Sequence, residues 1–305
     1  MSVNKDMGET AKERHFGPVW FIPGKNRGRY PYCHSVYIEG AGVLIDPASD
    51  RERLIQLKEG PGVRAIWLTH WHEDHFMHLD LFDDLPLLVS EPDSPPLSDL
   101  DLFMDAYGME GSDEREYWGS LMREQFHFRP RRPTHYLRDG DRVQLKTGAV
   151  KVISTPGHTP GHVSFFFEKP RILLLGDYDL TKFGPWYGDR DSSIRETINS
   201  VRLLKDISAA IWLTSHEDGI LEEEPGAMWD QFLAVIDERE EKLVDRLKTP
   251  QTLDDIIDAW IIYGRPREPK VFFRFGERVH MKKHLEKLIN EERVVRDGEY
   301  YVISQ

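Results

Sequence analysis

Ten residues, Thr69 to His78, read THWHEDHFMH and hold four histidines and one aspartate. Such density is rarely a packing choice. Three more polar residues of metal-binding type follow apolar runs further along: His158 after VKVISTPG, Asp177 after RILLLG and His216 after AIWLTS. With His70, His72, Asp74 and His75 from the first run, five imidazoles and two carboxylates reach strand ends on four separate loops. One ion takes about four protein ligands, so this set exceeds one ion and fits two, with a carboxylate between them. Imidazole with carboxylate suits zinc, iron or manganese, and the lack of thiolates argues against a closed structural zinc site. Asp46, ending the run GVLID, is placed to accept the outer N–H of a ligand imidazole.

The elements that must present these residues are short and β-rich. VWFIPG, SVYIEG and GVLIDP read as strands broken by Gly and Pro, Arg51 to Glu59 as a helix, and RAIWL as a buried strand running straight into the histidine cluster. A site at strand C-terminal ends is where open α/β sheets place their ligands. Residues 91–133 change character: five prolines, many charges and large aromatics, with helices predicted over Asp99 to Tyr107 and Asp113 to Phe126. Strands resume up to AIWLTSH, and a charged amphipathic helix spans Gly226 to Leu247. The pattern predicts a polar tail over residues 1–16, a main domain over 17–246 with a helical insertion at about 91–133, and a small unit over 247–305. That last unit carries helices at 252–263 and about 279–290, then the hairpin VVRDGEYYVI turning at Asp297-Gly298, which suggests a winged helix.

Composition narrows the function classes. The chain has 305 residues, 39% of them hydrophobic, enough for a substantial core, and a formal net charge of -13. An acidic balance lowers the expectation of nucleic-acid binding, and residues 271–305 hold seven Lys and Arg against six Asp and Glu, so no basic stripe stands out there. The single cysteine, Cys33, allows no internal disulfide and reads as a small buried apolar residue. The polar N-terminus has no apolar leader core and no run approaches the ~20 residues of a membrane span, so a soluble cytoplasmic protein is expected.

The ordered motifs HxHxDH, TPGHTPGH, a GD and a late SH, covering roughly residues 17–222, resemble the metallo-β-lactamase superfamily, in particular hydrolases of the glyoxalase II and lactamase-β-2-like kind. The resemblance implies an α/β fold, a four-layer αββα sandwich with the site along one edge of two sheets. It implies one metal on His70, His72 and His158, a second on Asp74, His75 and His216, and Asp177 bridging the two. Two divalent ions, zinc preferred with iron or manganese as alternatives, would supply a bridging hydroxide at neutral pH and polarise a substrate oxygen. Asp74, beside His75, is also a candidate to orient the attacking water.

Other candidates come from position alone. Tyr178, next to Asp177, and Tyr187, in the turn that follows, are candidate phenols for stabilising an oxyanion or protonating a leaving group. His34 is a candidate substrate contact or proton donor, His78 an outer ligand, and His162 a structural residue. His280 and His284 stand at i, i+4 with no third ligand and read as a solvated face. Aromatics with Arg123, Arg129, Arg131 and Arg132 in the insertion would suit an apolar acyl group on an anionic carrier such as coenzyme A or glutathione. Hydrolysis of a small-molecule thioester or ester therefore leads. Single-stranded RNA cleavage and lactone hydrolysis are the alternatives, and a homodimer is allowed.

Overall fold

The computed structural model describes residues 12–304. Seven strands form the first sheet in chain order: β1 (Arg14–Phe16), β2 (Val19–Ile22), β3 (Ser35–Ile38), β4 (Val43–Ile45), β5 (Ala65–Trp67), β6 (Leu87–Ser90) and β7 (His135–Leu137). Pairing is antiparallel from β1 to β4 and parallel from β4 to β7. The second sheet holds β8 (Arg142–Leu145), β9 (Gly148–Ser154), β10 (Val163–Phe167), β11 (Ile172–Leu174), β12 (Ile211–Leu213) and β13 (Ile220–Leu221), with only β11 and β12 parallel.

Period-two side-chain alternation builds the two inner layers. Phe165 sits opposite Val152 and Leu174 in the register of β10, and all three point between the sheets, where they meet Val36, Ile45 and Trp67. The Trp67 and Phe165 rings lie 5.4 Å apart. Burying Phe165 fully contributes about 2–3 kcal/mol. Its neighbour Phe166 faces the other way, toward α6 (Ile194–Lys205) and α7 (Met228–Arg246). The outer face of the first sheet is covered by α1 (Arg51–Glu59) and the helices that follow β6. The expected four-layer αββα sandwich is the observed fold.

Several boundaries differ from the sequence reading. Residues 1–11 of the expected polar tail lie outside the described residues, and Arg14–Phe16 is not tail but strand: His15 stacks on Trp20 with ring centroids 4.2 Å apart. The insertion forms α3 (Pro95–Ser98), α4 (Leu100–Tyr107) and α5 (Ser112–Glu124). It is the crossover between the parallel strands β6 and β7, a connection that parallel pairing requires. Asp99 caps α4 by accepting from the Asp101 and Leu102 amides.

In the C-terminal part, β14 (Gln251–Thr252) leads into α8 (Leu253–Ile257), shorter than predicted because the chain turns at Trp260, whose φ is +53°. The next helix, α9 (Lys270–Asn290), starts earlier than predicted, directly after Pro269. Strands β15 (Val294–Asp297) and β16 (Tyr300–Ile303) pair as a hairpin whose loop is Gly298-Glu299, one residue beyond the predicted turn, with Gly298 at φ +60°. β14 adds to β16 as a third strand.

The expectation that His280 and His284 form a solvated face fails. Both are completely buried, because α9 lies against the main body with Phe275 and Val279 in the core beneath the first sheet. Among the described residues no helix is long and apolar enough to cross a membrane.

Candidate metal centre

Strand ends aim every candidate ligand into one region. β5 runs into Thr69-His70 and the short helix α2 (Glu73–Phe76), while β9, β11 and β12 deliver His158, Asp177 and His216. The Nε2 of His70 lies 3.1 Å from Nδ1 of His72 and 3.1 Å from Nε2 of His158, and the latter two atoms are 2.9 Å apart. The outer nitrogens are all engaged. His72 Nε2 is 2.8 Å from Asp189 Oδ2, His158 Nδ1 is 3.1 Å from the Trp186 carbonyl, and His70 Nδ1 is 2.9 Å from the Thr69 hydroxyl. If each imidazole donates its N–H outward, three lone pairs converge on one point, an arrangement that a cation stabilises.

The second group is Asp74, His75 and His216, whose ligand atoms lie within 4.8 Å of one another. Asp177 stands between the groups with one oxygen toward each. Oδ2 is 3.3 Å from His158 Nε2, whereas Oδ1 is 2.9 Å from His75 Nε2 and 3.4 Å from His216 Nε2. His75 Nε2 and Asp177 Oδ1 are both buried without a hydrogen bond of acceptable geometry. Such orphaned atoms are costly unless something else satisfies them. His75 Nδ1 is held 3.0 Å from Asp46 Oδ2, the role expected of Asp46, which also receives the Thr69 amide and hydroxyl. His216 Nδ1 donates to the carbonyls of Gly28 and Tyr32.

The electrostatics favour positive charge on both sides of Asp177. Burial pushes the Asp177 carboxyl up, but His75, His216, His70 and His158 outweigh it and hold it well below the usual carboxylate range. Burial opposes protonation of His72 and His216, yet Asp189 takes the first up to about 9 and Asp177 with Asp179 takes the second to about 10. His70 is pushed well down by burial and by neighbouring His75. An all nitrogen and oxygen donor set, a carboxylate facing both ways and unsatisfied inner atoms together fit two divalent cations.

Three candidates are not brought into this cluster. The Tyr178 hydroxyl donates to the carbonyls of Thr155 and Pro156, beneath the loop that carries His158. The Tyr187 hydroxyl meets His284 Nε2 at 2.9 Å and accepts from Arg239 at 3.0 Å. His34 accepts the Gly24 amide at Nδ1 and places Nε2 3.1 Å from the Glu217 carbonyl, and burial pushes it down to about 3, so it stays neutral. All three side chains pack the loops around the site. His78 joins Arg51, Asp80 and His127 rather than either ligand group. His162 is structural: its Nδ1 is 2.8 Å from the Thr155 hydroxyl and its Nε2 accepts the Asp177 amide.

Sequence reasoning missed the residues that aim the ligands. Asp189 also accepts from Trp186 Nε1 at 2.9 Å, which locks its carboxylate toward His72. Buried Asp93 accepts from the Thr159 hydroxyl and the Gly161 amide and fixes the TPGHTPGH loop. Glu73 accepts from the phenols of Tyr30 and Tyr107 at 2.8 and 2.5 Å. Glu73 stands inside the HxHxDH run but at none of its ligand positions, and Asp93 and Asp189 stand at no spacing that ties them to a motif.

The centre opens into a mainly aromatic cavity of about 470 Å³. Tyr107 and Trp118 of the insertion, Phe183 and Trp186 of the loop after Asp177, and Phe272 and Phe273 of α9 wall it. The arginines of the insertion do not reach this wall as expected: Arg129 and Arg131 pair with Asp83 at the surface.

The sequence model of the metallo-beta-lactamase superfamily matches residues 28–216. A probable metallo-hydrolase of Streptococcus pyogenes is 35% identical over 144 residues, 45% of this chain and 56% of its own. A hydroxyacylglutathione hydrolase of Francisella philomiragia is 27% identical over 160 residues, 52% of this chain and 50% of its own. The chain thus spans about half the length of the curated relatives it matches. Among solved structures, a metallo-beta-lactamase family protein from Thermus thermophilus matches with TM-score 0.70 at 24% identity, over 94% of this chain and 98% of that one. A beta-lactamase domain protein from Burkholderia ambifaria matches with TM-score 0.70 at 17% identity, over 98% and 96%. These two likenesses speak to fold, and they extend through the C-terminal unit. A match over more than half of the chain, on a site that presents every ligand the motifs call for, shows that this chain belongs to the metallo-beta-lactamase superfamily.

Proposed function

We propose that the chain is a dinuclear metal-dependent hydrolase of thioesters or esters, with zinc the preferred metal and iron or manganese the alternatives. The observation that carries this reading is Asp177, whose two oxygens face two separate ligand groups at the floor of an apolar cavity. Two divalent cations bound there would supply a water ionised near neutral pH and a Lewis acid for the acyl oxygen. The chain's own residues do the rest. Asp177 keeps the two ligand groups in register. Asp74, which lines the cavity, would hold a cation with His75 and His216 through one oxygen and orient a water with the other. The aromatic walls exclude bulk water and receive an apolar acyl group. The relative named as a hydroxyacylglutathione hydrolase supports a thioester.

We read β14, α8, α9 and the β15–β16 hairpin as a winged-helix-like unit. Five of its cations are paired with carboxylates, which argues against RNA. Arg274 pairs with Asp254 and Asp258, Arg278 with Glu114, Lys282 with Glu110, and Lys287 and Arg293 with Glu240. Neutralised cations release few counterions and give little phosphate affinity. A cytoplasmic setting belongs to the same reading, on the one buried free thiol, Cys33.

The test is thiol release from a panel of acyl-coenzyme A and acyl-glutathione thioesters, with ester controls, on protein given two equivalents of zinc. Turnover should vanish with a chelator. Asp177→Ala should bind less metal and lose more than about 100-fold in turnover while keeping its circular dichroism. An active, fully metallated Asp177→Ala protein refutes the bridging role, and inactivity of the two-metal wild type on every thioester and ester refutes the hydrolase reading.

A further inference from the structure

The cavity has two walls of different character. The inner wall rests on the His70, His72 and His158 group: Tyr107 stacks on His72 with centroids 5.2 Å apart and planes 8° off parallel, then Trp118 and Phe272 continue it. The outer wall runs from Phe183 to Tyr263, 5.9 Å apart, and from Tyr263 to Phe273, 5.0 Å apart. It ends at Arg267, whose guanidinium lies 5.6 Å over the Tyr263 ring and 5.7 Å over the Phe273 ring.

Two arginines line this cavity, and they differ in their neighbours. Arg29 is neutralised by Glu217, whose oxygens are 2.8 and 2.9 Å from its Nε. Arg267 is exposed and makes no carboxylate pair among the described residues. Its loop is nonetheless fixed. Glu277, fully buried on α9, accepts the amides of Ile262 and Tyr263, and a Cβ at Gly276 would fall 2.3 Å from the Tyr263 hydroxyl, so only glycine lets that ring seat. A net charge of -13 repels anionic ligands, so a pocket that takes one needs a local unpaired cation.

We infer that the C-terminal unit is the substrate-recognition element of the site. Its Phe272, continuing the inner wall of Tyr107 and Trp118, receives the apolar acyl part of a thioester, and Arg267 binds an anionic group on the thiol carrier leaving along the outer wall. This rests on the hydrolase reading and adds to it both the carrier's charge and the residue that reads it.

The test compares S-octanoyl-coenzyme A with S-octanoyl-N-acetylcysteamine, which share the acyl group and the thioester but differ in the charged part of the carrier. Wild type should prefer the coenzyme A thioester in kcat/KM. Arg267→Ala should lower that preference about fivefold, through KM, and Arg267→Lys should restore part of it. Phe272→Ala, on the inner wall beside Trp118, should raise KM for both thioesters alike. An unchanged preference in Arg267→Ala, or equal loss on both substrates, overturns the inference. If metal-loaded wild type hydrolyses neither, the octanoyl thioester is not its substrate and the hydrolase reading is decided on the wider panel. Quenching of tryptophan emission by S-octanoyl-coenzyme A then judges Arg267: about fivefold weaker binding by Arg267→Ala sustains its role, and equal binding ends it.

Discussion

Replacing Asp189 by asparagine removes one charge and almost no volume, so its effect isolates what the carboxylate does. Asp189 accepts two N–H groups, from His72 Nε2 at 2.8 Å and from Trp186 Nε1 at 2.9 Å. An asparagine amide has a single acceptor oxygen. One of the two donors must then face an NH2 group inside a buried site, at a cost of about 1–3 kcal/mol. If the oxygen turns to Trp186, His72 loses the partner that keeps its proton on Nε2. A proton on Nδ1 would then point at nitrogens 2.9 and 3.1 Å away and remove the lone pair a cation needs. If it turns to His72, the geometry survives but the ring loses the carboxylate that raises its basicity. Both routes weaken metal binding by His70, His72 and His158, by about 10–100-fold, or about 1.4–2.7 kcal/mol. The assay is competition with a chromophoric zinc chelator at neutral pH in an Asp74→Ala background, where the other group is disabled. A dissociation constant in Asp189→Asn equal to that of its parent would refute the reasoning.

Tyr178→Phe and Tyr187→Phe should each lower stability, the second by about 1–3 kcal/mol because His284 and Arg239 both lose a buried partner, while kcat of the metal-loaded enzyme holds. A collapse of kcat at unchanged metal content would return either phenol to the chemistry. Glu240 carries a pH signature. Burial pushes its carboxyl up, but His284, Lys287 and Arg293 hold it down at about 2, against an ordinary value of 4.5. A lowered folded value means its stabilisation is complete above 4.5 and is lost as pH falls toward 2. Glu240→Gln should therefore flatten the melting-temperature curve over that acid window, and a slope identical to wild type would rule the contribution out.

The ligands were legible because they follow apolar strand runs within a few residues, where strand burial stops and a polar side chain has no packing reason to exist. The same logic misplaced Tyr178. The chain bends at Gly176 and Asp177, so nearness in sequence did not fix direction, and the neighbour of an inward Asp177 turns away from the site, under the His158 loop. Asp189 was hidden because its tie to His72 spans 117 positions and no local pattern records such a contact. His280 and His284 were masked by Arg278 and Lys282 beside them on α9. These look solvated until the insertion supplies Glu114 and Glu110 to meet them across the fold.

The boundary expected near residue 247 divides the sequence but not the packing. Along α9, Phe273 meets the cavity, Phe272 and Phe275 meet both the cavity and the core beneath the first sheet, and Val279 completes that core. One helix therefore answers to two selective pressures within a few residues. A lineage exploring new substrates can vary the cavity-facing positions cheaply, since exposed or half-buried changes cost little. A shift of helical register, or exchange of the whole unit between relatives, would drag core positions along and forfeit folding free energy before any new specificity could be sampled. Divergence on this scaffold should accordingly proceed by point changes around Arg267, Phe272 and Phe273 rather than by module shuffling.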